Sequence, residues 1–285
     1  MSKNVSYASG TSDKPLLGST IGELFDKVTN EYARREAIVS VHQNIRFTYS
    51  ELAEQVNLLA KSFIGAGFKK GDRLGIWSPN NVEWLVTQYA AAKAGLILVT
   101  INPAYRSHEL DYVLGQSGCK GLIIQNQFKT SSYESMICEI CPEIINTEPG
   151  ELQSKKFHNL THVISMTSSK VKGIYNWEDF LNLSKSIDDK ELESRQENLD
   201  SDEAINIQYT SGTTGFPKGA TLSHHNILNN GYFTGATMNF TEQDRLVVPV
   251  PLYHCFGMVL ANLACLTHGA CAIYPSESFE PDLAL

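Results

Sequence analysis

RLGIWSPNNVEWLVTQYAAAKAGLILVTINPAYRSHELDYVLGQSGCKGLIIQ, residues 73–125, alternates short apolar runs with helical segments. Arg73–Trp77 reads as a strand, and Asn81–Ala94 as a helix that Gly95 stops. Leu96–Ile101 is an unbroken apolar strand, Ser107–Gln116 a helix that Gly118 stops, and Lys120–Gln125 another strand. Strands that are apolar throughout and alternate with helices predict an α/β fold whose parallel sheet is covered on both faces, with right-handed crossovers.

Outward from this stretch the signals are more local. Residues 1–18 are polar and rich in Ser, Lys and Gly, and are expected to form a flexible arm. Thr20-Ile-Gly-Glu23 is a capping box opening a helix with Ile21, Leu24, Phe25, Val28 and Tyr32 on one face. Ala37–Val41 and Ile45–Phe47 read as a hairpin about Gln43-Asn44. Thr48-Tyr-Ser-Glu51 is a second capping box, and its helix runs to Gly67 at C′. Beyond Gln127 the pattern weakens. A strand is expected near His162–Met166, a short helix at Trp177–Leu183, and a charged surface connector over 184–202 that separates two subdomains. Arg245–Pro249 and Ala270–Tyr274 read as strands flanking a helix, Gly257–Thr267, that Gly269 ends. Phe279–Leu285 reads as the first turn of a further helix with Pro281 near N1.

The chain has 285 residues, a formal charge of −8 from 23 basic and 31 acidic residues, and 42% hydrophobic content. This balance argues against a nucleic-acid partner. No apolar run is long enough to span a bilayer, and the first twenty residues lack the apolar core of a secretory signal. Six cysteines lie scattered at 119, 138, 141, 255, 265 and 271. The single C-x-x-C at Cys138 and Cys141 has no partner pair, so it reads as incidental thiols, and no metal site is expected.

The richest local chemistry lies in Tyr209-Thr-Ser-Gly-Thr-Thr-Gly-Phe-Pro-Lys-Gly219, which holds four Ser and Thr hydroxyls, three glycines and one lysine. Glycine lets backbone N–H groups approach an anion, hydroxyls donate to phosphate oxygens, and lysine adds a compact charge. Gly212 and Gly215 are too close for a Walker loop, and no Ser or Thr follows Lys218. Ile205–Tyr209 alternates as a strand does, and Ser223 is an N-cap candidate for a helix at His224 and His225. Strand, loop and helix in that order is an anion-binding arrangement, although such composition also suits a surface linker. His224 and His225 read as helix N-terminal surface residues. His254, at a strand end, reads by itself as a structural histidine.

Four segments resemble those of the adenylate-forming superfamily of acyl-CoA synthetases, luciferases and peptide-synthetase adenylation domains. They are the loop itself, Phe47-Thr-Tyr-Ser-Glu-Leu52, Ala92–Pro103 and Pro249-Val-Pro-Leu-Tyr-His-Cys-Phe-Gly257. The resemblance runs from about Ile21 to the last residue. The wording Asn102-Pro-Ala-Tyr105, Ile205–Gly215 and Gly219–Ile227 is most similar to the mitochondrial medium-chain fatty acyl-CoA ligases.

The resemblance implies an incomplete N-terminal domain over 19–285, with mainly parallel sheets flanked by helices and the mobile C-terminal domain absent. It implies that a carboxylic acid reacts with ATP to give acyl-AMP, which CoA then converts to a thioester, with Mg²⁺ accompanying ATP. Thr210, Ser211, Gly212, Thr213, Thr214, Gly215, Phe216, Pro217 and Lys218 would hold the β- and γ-phosphates, with Lys218 catalytic. Tyr253 and His254 would border the acyl group, His254 also acting in catalysis. The family's Mg²⁺-binding glutamate and ribose-binding aspartate segments have no counterpart here, so no metal ligand is assigned within this chain, and an exposed sheet edge is expected. Two alternatives stay open: an inactive truncated form that binds nucleotide weakly or regulates a partner, and an aryl-acid CoA ligase. The compartment implied is mitochondrial, otherwise cytoplasmic.

Overall fold

A computed structural model describes residues 13–210 and 217–284. In chain order it contains α1 (Ile21–Glu31), β1 (Glu36–Ser40), β2 (Ile45–Thr48), α2 (Tyr49–Gly65), β3 (Arg73–Trp77), α3 (Val82–Ala94), β4 (Ile97–Ile101), α4 (Ser107–Ser117), β5 (Gly121–Ile124), β6 (Gln127–Phe128), β7 (Ser131–Ser132) and α5 (Tyr133–Ile140). There follow β8 (His162–Ser165), α6 (Trp177–Leu181), α7 (Asp189–Glu197), β9 (Ala204–Thr210), β10 (Lys218–Ser223), α8 (His224–Thr237), β11 (Arg245–Val247), α9 (Cys255–Gly257), α10 (Ala264–His268), β12 (Cys271–Tyr274) and α11 (Pro281–Ala284).

A six-stranded sheet of order β10-β9-β4-β3-β5-β8 forms the centre, parallel except where β10 pairs antiparallel with β9. Its strands β3, β4, β5 and β8 are largely apolar because alternate residues meet two different cores. Leu74, Ile76, Leu98, Ile123 and Ile164 face one side with Phe25, Phe63 and Trp84. Trp77, Val99, Ile101, Leu122, Ile124 and Val163 face the other with Val113 and Tyr133. A second sheet, β11-β12-β1-β2, brings the chain's late strand β12 parallel to β1 (Ile38↔Ala272) and shares the first core.

The helix ends follow their sequence signals. Thr20 and Thr48 form reciprocal capping boxes with Glu23 and Glu51. Asn81 Oδ1 accepts from the Trp84 N–H at 2.7 Å. Gly95 ends α3 at φ 70°, where a Cβ would also stand 2.6 Å from Leu199 Cδ2. The stretch 184–202 contains α7, whose Leu192 joins the first core and whose Arg195 donates to the Phe68 and Ala94 carbonyls.

Two sequence expectations are corrected. The helix expected at His224 is present with Ser223 as its N-cap, but a strand not expected from sequence stands between it and the 211–216 segment. Lys218–Ser223 pairs along β9, from Lys218↔Thr210 to Ser223↔Ala204, because an alternating hairpin partner satisfies β9's outer backbone edge. The N-terminus of α8 therefore starts roughly 17–20 Å along the strand from Lys218, beyond the reach of a helix dipole. His224 is not a surface residue either. It is 1% exposed, and its Nδ1 accepts from the Ile21 N–H at 3.1 Å, tying α8 to α1.

Burial pushes His224 down to about 4, against the opposing pull of Glu203 and Asp200. Burial likewise pushes His162 to about 4, with Lys120 acting in the same direction and Asp72 against it. Each ring is therefore neutral in the fold while the unfolded chain takes up a proton below its ordinary value of 6.5. Their contribution to stability is complete above pH 6.5 and is lost as pH falls toward 4, at up to about 1.4 kcal/mol per pH unit for each histidine. Urea unfolding between pH 7 and 4.5 should show this slope, and His224→Gln should flatten it by up to one proton. An identical slope in the variant would remove His224 from the linkage.

Candidate functional site

The carboxyl ends of β4 and β9 lie side by side, with Thr100 paired to Gln208, and this is where a parallel sheet exposes its loops. A cleft of about 460 Å³ opens there, lined by Thr100, Asn102 and Tyr105 from the β4 end, and by Gln208, Tyr209, Thr210 and Pro217 from the β9–β10 side. Tyr253, His254 and Cys255 complete it.

Each wall is held by buried polar groups. On the β4 side, the Asn102 carbonyl accepts from Trp77 Nε1 at 3.1 Å, while Asn102 Oδ1 accepts from the Ala104 N–H at 2.9 Å. Tyr133 donates its hydroxyl to the Pro103 carbonyl at 2.6 Å and stacks on Trp77 with ring centroids 3.7 Å apart. Burial, with Tyr253 and Glu109 adding to it, raises the Tyr105 phenol and keeps it neutral at the cleft.

On the opposite wall Asn80 grips the segment that carries Tyr253 and His254 with both ends of its amide. Its Nδ2 donates to the Val250 carbonyl and its Oδ1 accepts from the Leu252 N–H, both at 2.9 Å. The chain then turns sharply. A Cβ on Gly257 would stand 2.5 Å from the Pro251 carbonyl oxygen, which explains the glycine three residues after His254. His254 is the N-cap of α9 and its Nδ1 accepts from the Phe256 N–H at 3.1 Å. A neutral imidazole in that role carries its proton on Nε2, as a donor.

Beyond α9 the helix widens into a π segment, Met258–Leu263, before α10. Side chains of α3 bond to it: Gln88 Nε2 donates to the Met258 carbonyl at 3.1 Å and the Tyr89 hydroxyl donates to the Asn262 carbonyl at 3.2 Å. Asn262 Nδ2 donates to Gln88 Oε1 at 2.9 Å and its Oδ1 accepts from Tyr274 at 2.8 Å.

The structure thus brings Thr210, Pro217, Tyr253 and His254 into one cleft. Ser211, Gly212, Thr213, Thr214, Gly215 and Phe216 lie outside the described residues. Lys218 is the exposed first residue of β10 and lines a neighbouring cleft of about 590 Å³ with Arg73, Gln116, Ser117 and Tyr209, the last contributing to both. Asn80, Gln88, Asn102 and Asn262 were not singled out from sequence. Asn102 stands in a quoted segment, where its turn role was legible. Asn80 and Asn262 bond to residues 170 or more positions away or across the core, which no local pattern reveals.

The AMP-binding enzyme family model matches residues 25–285, and the chain belongs to that family. It is 42% identical to mouse ACSF2, a mitochondrial medium-chain acyl-CoA ligase, over 99% of this chain and 46% of that protein. It is 41% identical to the human protein of the same name, again over 99% of this chain and 46% of the relative. The chain therefore spans about half the length of the curated relatives it matches. Among solved structures, a long-chain-fatty-acid-CoA ligase (FadD1) of Archaeoglobus fulgidus shares the fold with a TM-score of 0.75 at 20% identity, covering 99% of this chain and 51% of that one. The N-terminal domain of FACL13 from Mycobacterium tuberculosis does so with a TM-score of 0.70 at 22% identity, covering 92% of this chain and 58% of that one. The expected fold class, the N-terminal domain architecture of an adenylate-forming enzyme with mainly parallel sheets, is the one observed.

Removing the amide of Asn80 should loosen the Tyr253–His254 segment. Asn80→Ala leaves a buried carbonyl and N–H without partners and should cost about 1–3 kcal/mol in urea unfolding. Asn80→Asp, which keeps the acceptor and loses the donor, should fall between it and the parent. An unchanged midpoint in both variants would contradict the two-sided grip.

Proposed function

We propose that this chain forms the phosphate- and carboxylate-facing side of an ATP-dependent acid–CoA ligase site whose acid is a medium-chain fatty acid. The observation that carries the reading is that both ends of the hydroxyl- and glycine-rich run, Thr210 and Pro217, open into the cleft bordered by Tyr253 and His254. A carboxylate oxygen attacks the α-phosphorus of ATP, the new C–O–P linkage forms, and pyrophosphate leaves with the electrons of the α–β anhydride. The CoA thiol, losing its proton, then attacks the acyl carbon and AMP departs.

The difficulty of the first step is that two anions must meet, so the site has to offset charge and align groups. Thr210, Ser211, Thr213 and Thr214 supply hydroxyls, and Gly212 and Gly215 allow close backbone approach. Phe216 and Pro217 close the run, and Lys218 supplies the compensating charge to departing pyrophosphate. Lys218 lines the neighbouring cleft, which shares Tyr209 with the first, and its four-carbon stem is flexible. His254 presents Nε2–H to the acid carboxylate, and Tyr253 walls the acyl group. Mg²⁺, when bound, would accompany the polyphosphate and offset its charge. Among the described residues no cluster of three His, Cys, Asp or Glu side chains could hold a metal, so no ligand for it is assigned. The relatives' names also support mitochondrial placement of the whole protein, and imaging of the tagged full-length protein checks this.

Acid-dependent pyrophosphate release with octanoate, combined with hydroxylamine trapping of acyl-AMP, tests the reaction in the full-length protein. Lys218→Ala should slow adenylation by about 10- to 150-fold, the loss expected for one charge-assisted phosphate contact. Equal turnover would sink the role of Lys218. His254→Ala should lower kcat/KM for the acid at least about tenfold while leaving ATP affinity within about twofold. Preference for benzoate over octanoate would replace the acyl class. ATP binding without acid-dependent pyrophosphate release would favour a nucleotide-binding regulator instead.

A further inference from the structure

We propose that Tyr112 on α4, backed by Gln116, is a positioning residue that fixes the Pro217–Lys218 step and so sets where the Lys218 ammonium stands. The proposal rests on the polyphosphate role of Lys218 given above. The Tyr112 hydroxyl donates to the Pro217 carbonyl at 3.1 Å across 105 residues of sequence. Gln116 Nε2, one helical turn further along α4, donates to the Tyr112 oxygen at 2.9 Å and turns the phenol proton toward Pro217. Proline has no N–H, so its carbonyl is the only backbone polar group through which that residue can be held.

The anchor itself is rigid. Leu110, Val113 and Leu114 bury α4 in the second core, and the Tyr112 ring packs against the same cluster. From the other direction the ladder pairs Lys218 with Thr210. Lys218 is therefore bracketed one residue upstream by α4 and across the hairpin by β9, while its side chain stays exposed. It takes part in none of the ion pairs among the described residues, so its charge is available to a ligand. Gln116 and Lys218 also line the same 590 Å³ cleft, which places the brace beside the charge it positions.

Tyr112→Phe removes one hydroxyl and keeps the ring, so the core should be undisturbed. Three measurements on the chain decide the matter: the thermal midpoint, backbone hydrogen exchange at Lys218 and Gly219 without ligand, and calorimetric binding of inorganic pyrophosphate and of ATP with Mg²⁺. The expected result is an unchanged midpoint, faster exchange at Lys218 and Gly219, and affinity for both polyphosphates about three- to tenfold weaker, the worth of one neutral hydrogen bond. Gln116→Leu should move the same readouts in the same direction by less. Exchange at Lys218 and Gly219 equal to the parent's overturns the brace, whatever the polyphosphate data show. Equal polyphosphate affinity, with the parent binding, overturns its role in positioning Lys218. Failure of the parent to bind either polyphosphate removes the role of Lys218 and this proposal with it, and faster exchange in Tyr112→Phe would then mark Tyr112 as a backbone anchor only.

Discussion

The strands β3, β4, β5 and β8 of the central sheet are buried on both faces, and that constraint governs everything else in the molecule. Alternate residues of β3, β4, β5 and β8 enter two separate cores. No strand interior can then hold a charge or an unpaired polar group without a cost of several kcal/mol. Polar chemistry is displaced to the strand ends, and parallel pairing puts the carboxyl ends of β4 and β9 at the same edge. The cleft forms where those ends meet the returning segment that carries Tyr253 and His254.

Segments at such an edge need partners, because water-exposed loops do not hold catalytic geometry by themselves. The partners come from distant parts of the chain and are mostly uncharged amides and phenols. Asn80 clamps Val250 and Leu252, Tyr133 holds Pro103, and Gln88 and Asn262 fasten the widened helix behind His254. Tyr112 does the same for Pro217. Neutral groups suit this task. They satisfy buried carbonyls without adding fixed charges beside a site proposed to bring two anions together.

The hairpin made by β9 and β10 changes how the glycine- and hydroxyl-rich run has to work. A helix N-terminus directly after the run would have offered its dipole and free N–H groups to an anion. With β10 interposed, α8 begins a strand's length away, and its first residue, His224, is spent on tying α8 to α1. The burden in the proposed reaction falls on hydroxyls, backbone N–H groups and Lys218, which makes the placement of Lys218 matter more.

Sequence by itself determined the elements whose signals are local. Capping boxes at Thr20 and Thr48, the glycine stops at Gly95, Gly118 and Gly269, and the two-faced apolar strands all depend on residues within a few positions of one another. The resemblance of four segments also pointed to the family and to Tyr253 and His254 as cleft residues. What the sequence could not determine rests on contacts between residues far apart. β10 has no strong apolar run of its own, and it is a strand because β9 offers an unpaired edge. His224 reads as a surface residue until α1 packs over it. Asn80, Gln88, Tyr112 and Asn262 are ordinary polar residues in any window, and only the folded chain sets their donors and acceptors against particular backbone groups. A hydrogen bond needs its partner within about 3 Å, and across 100 or more residues only tertiary packing can supply that proximity.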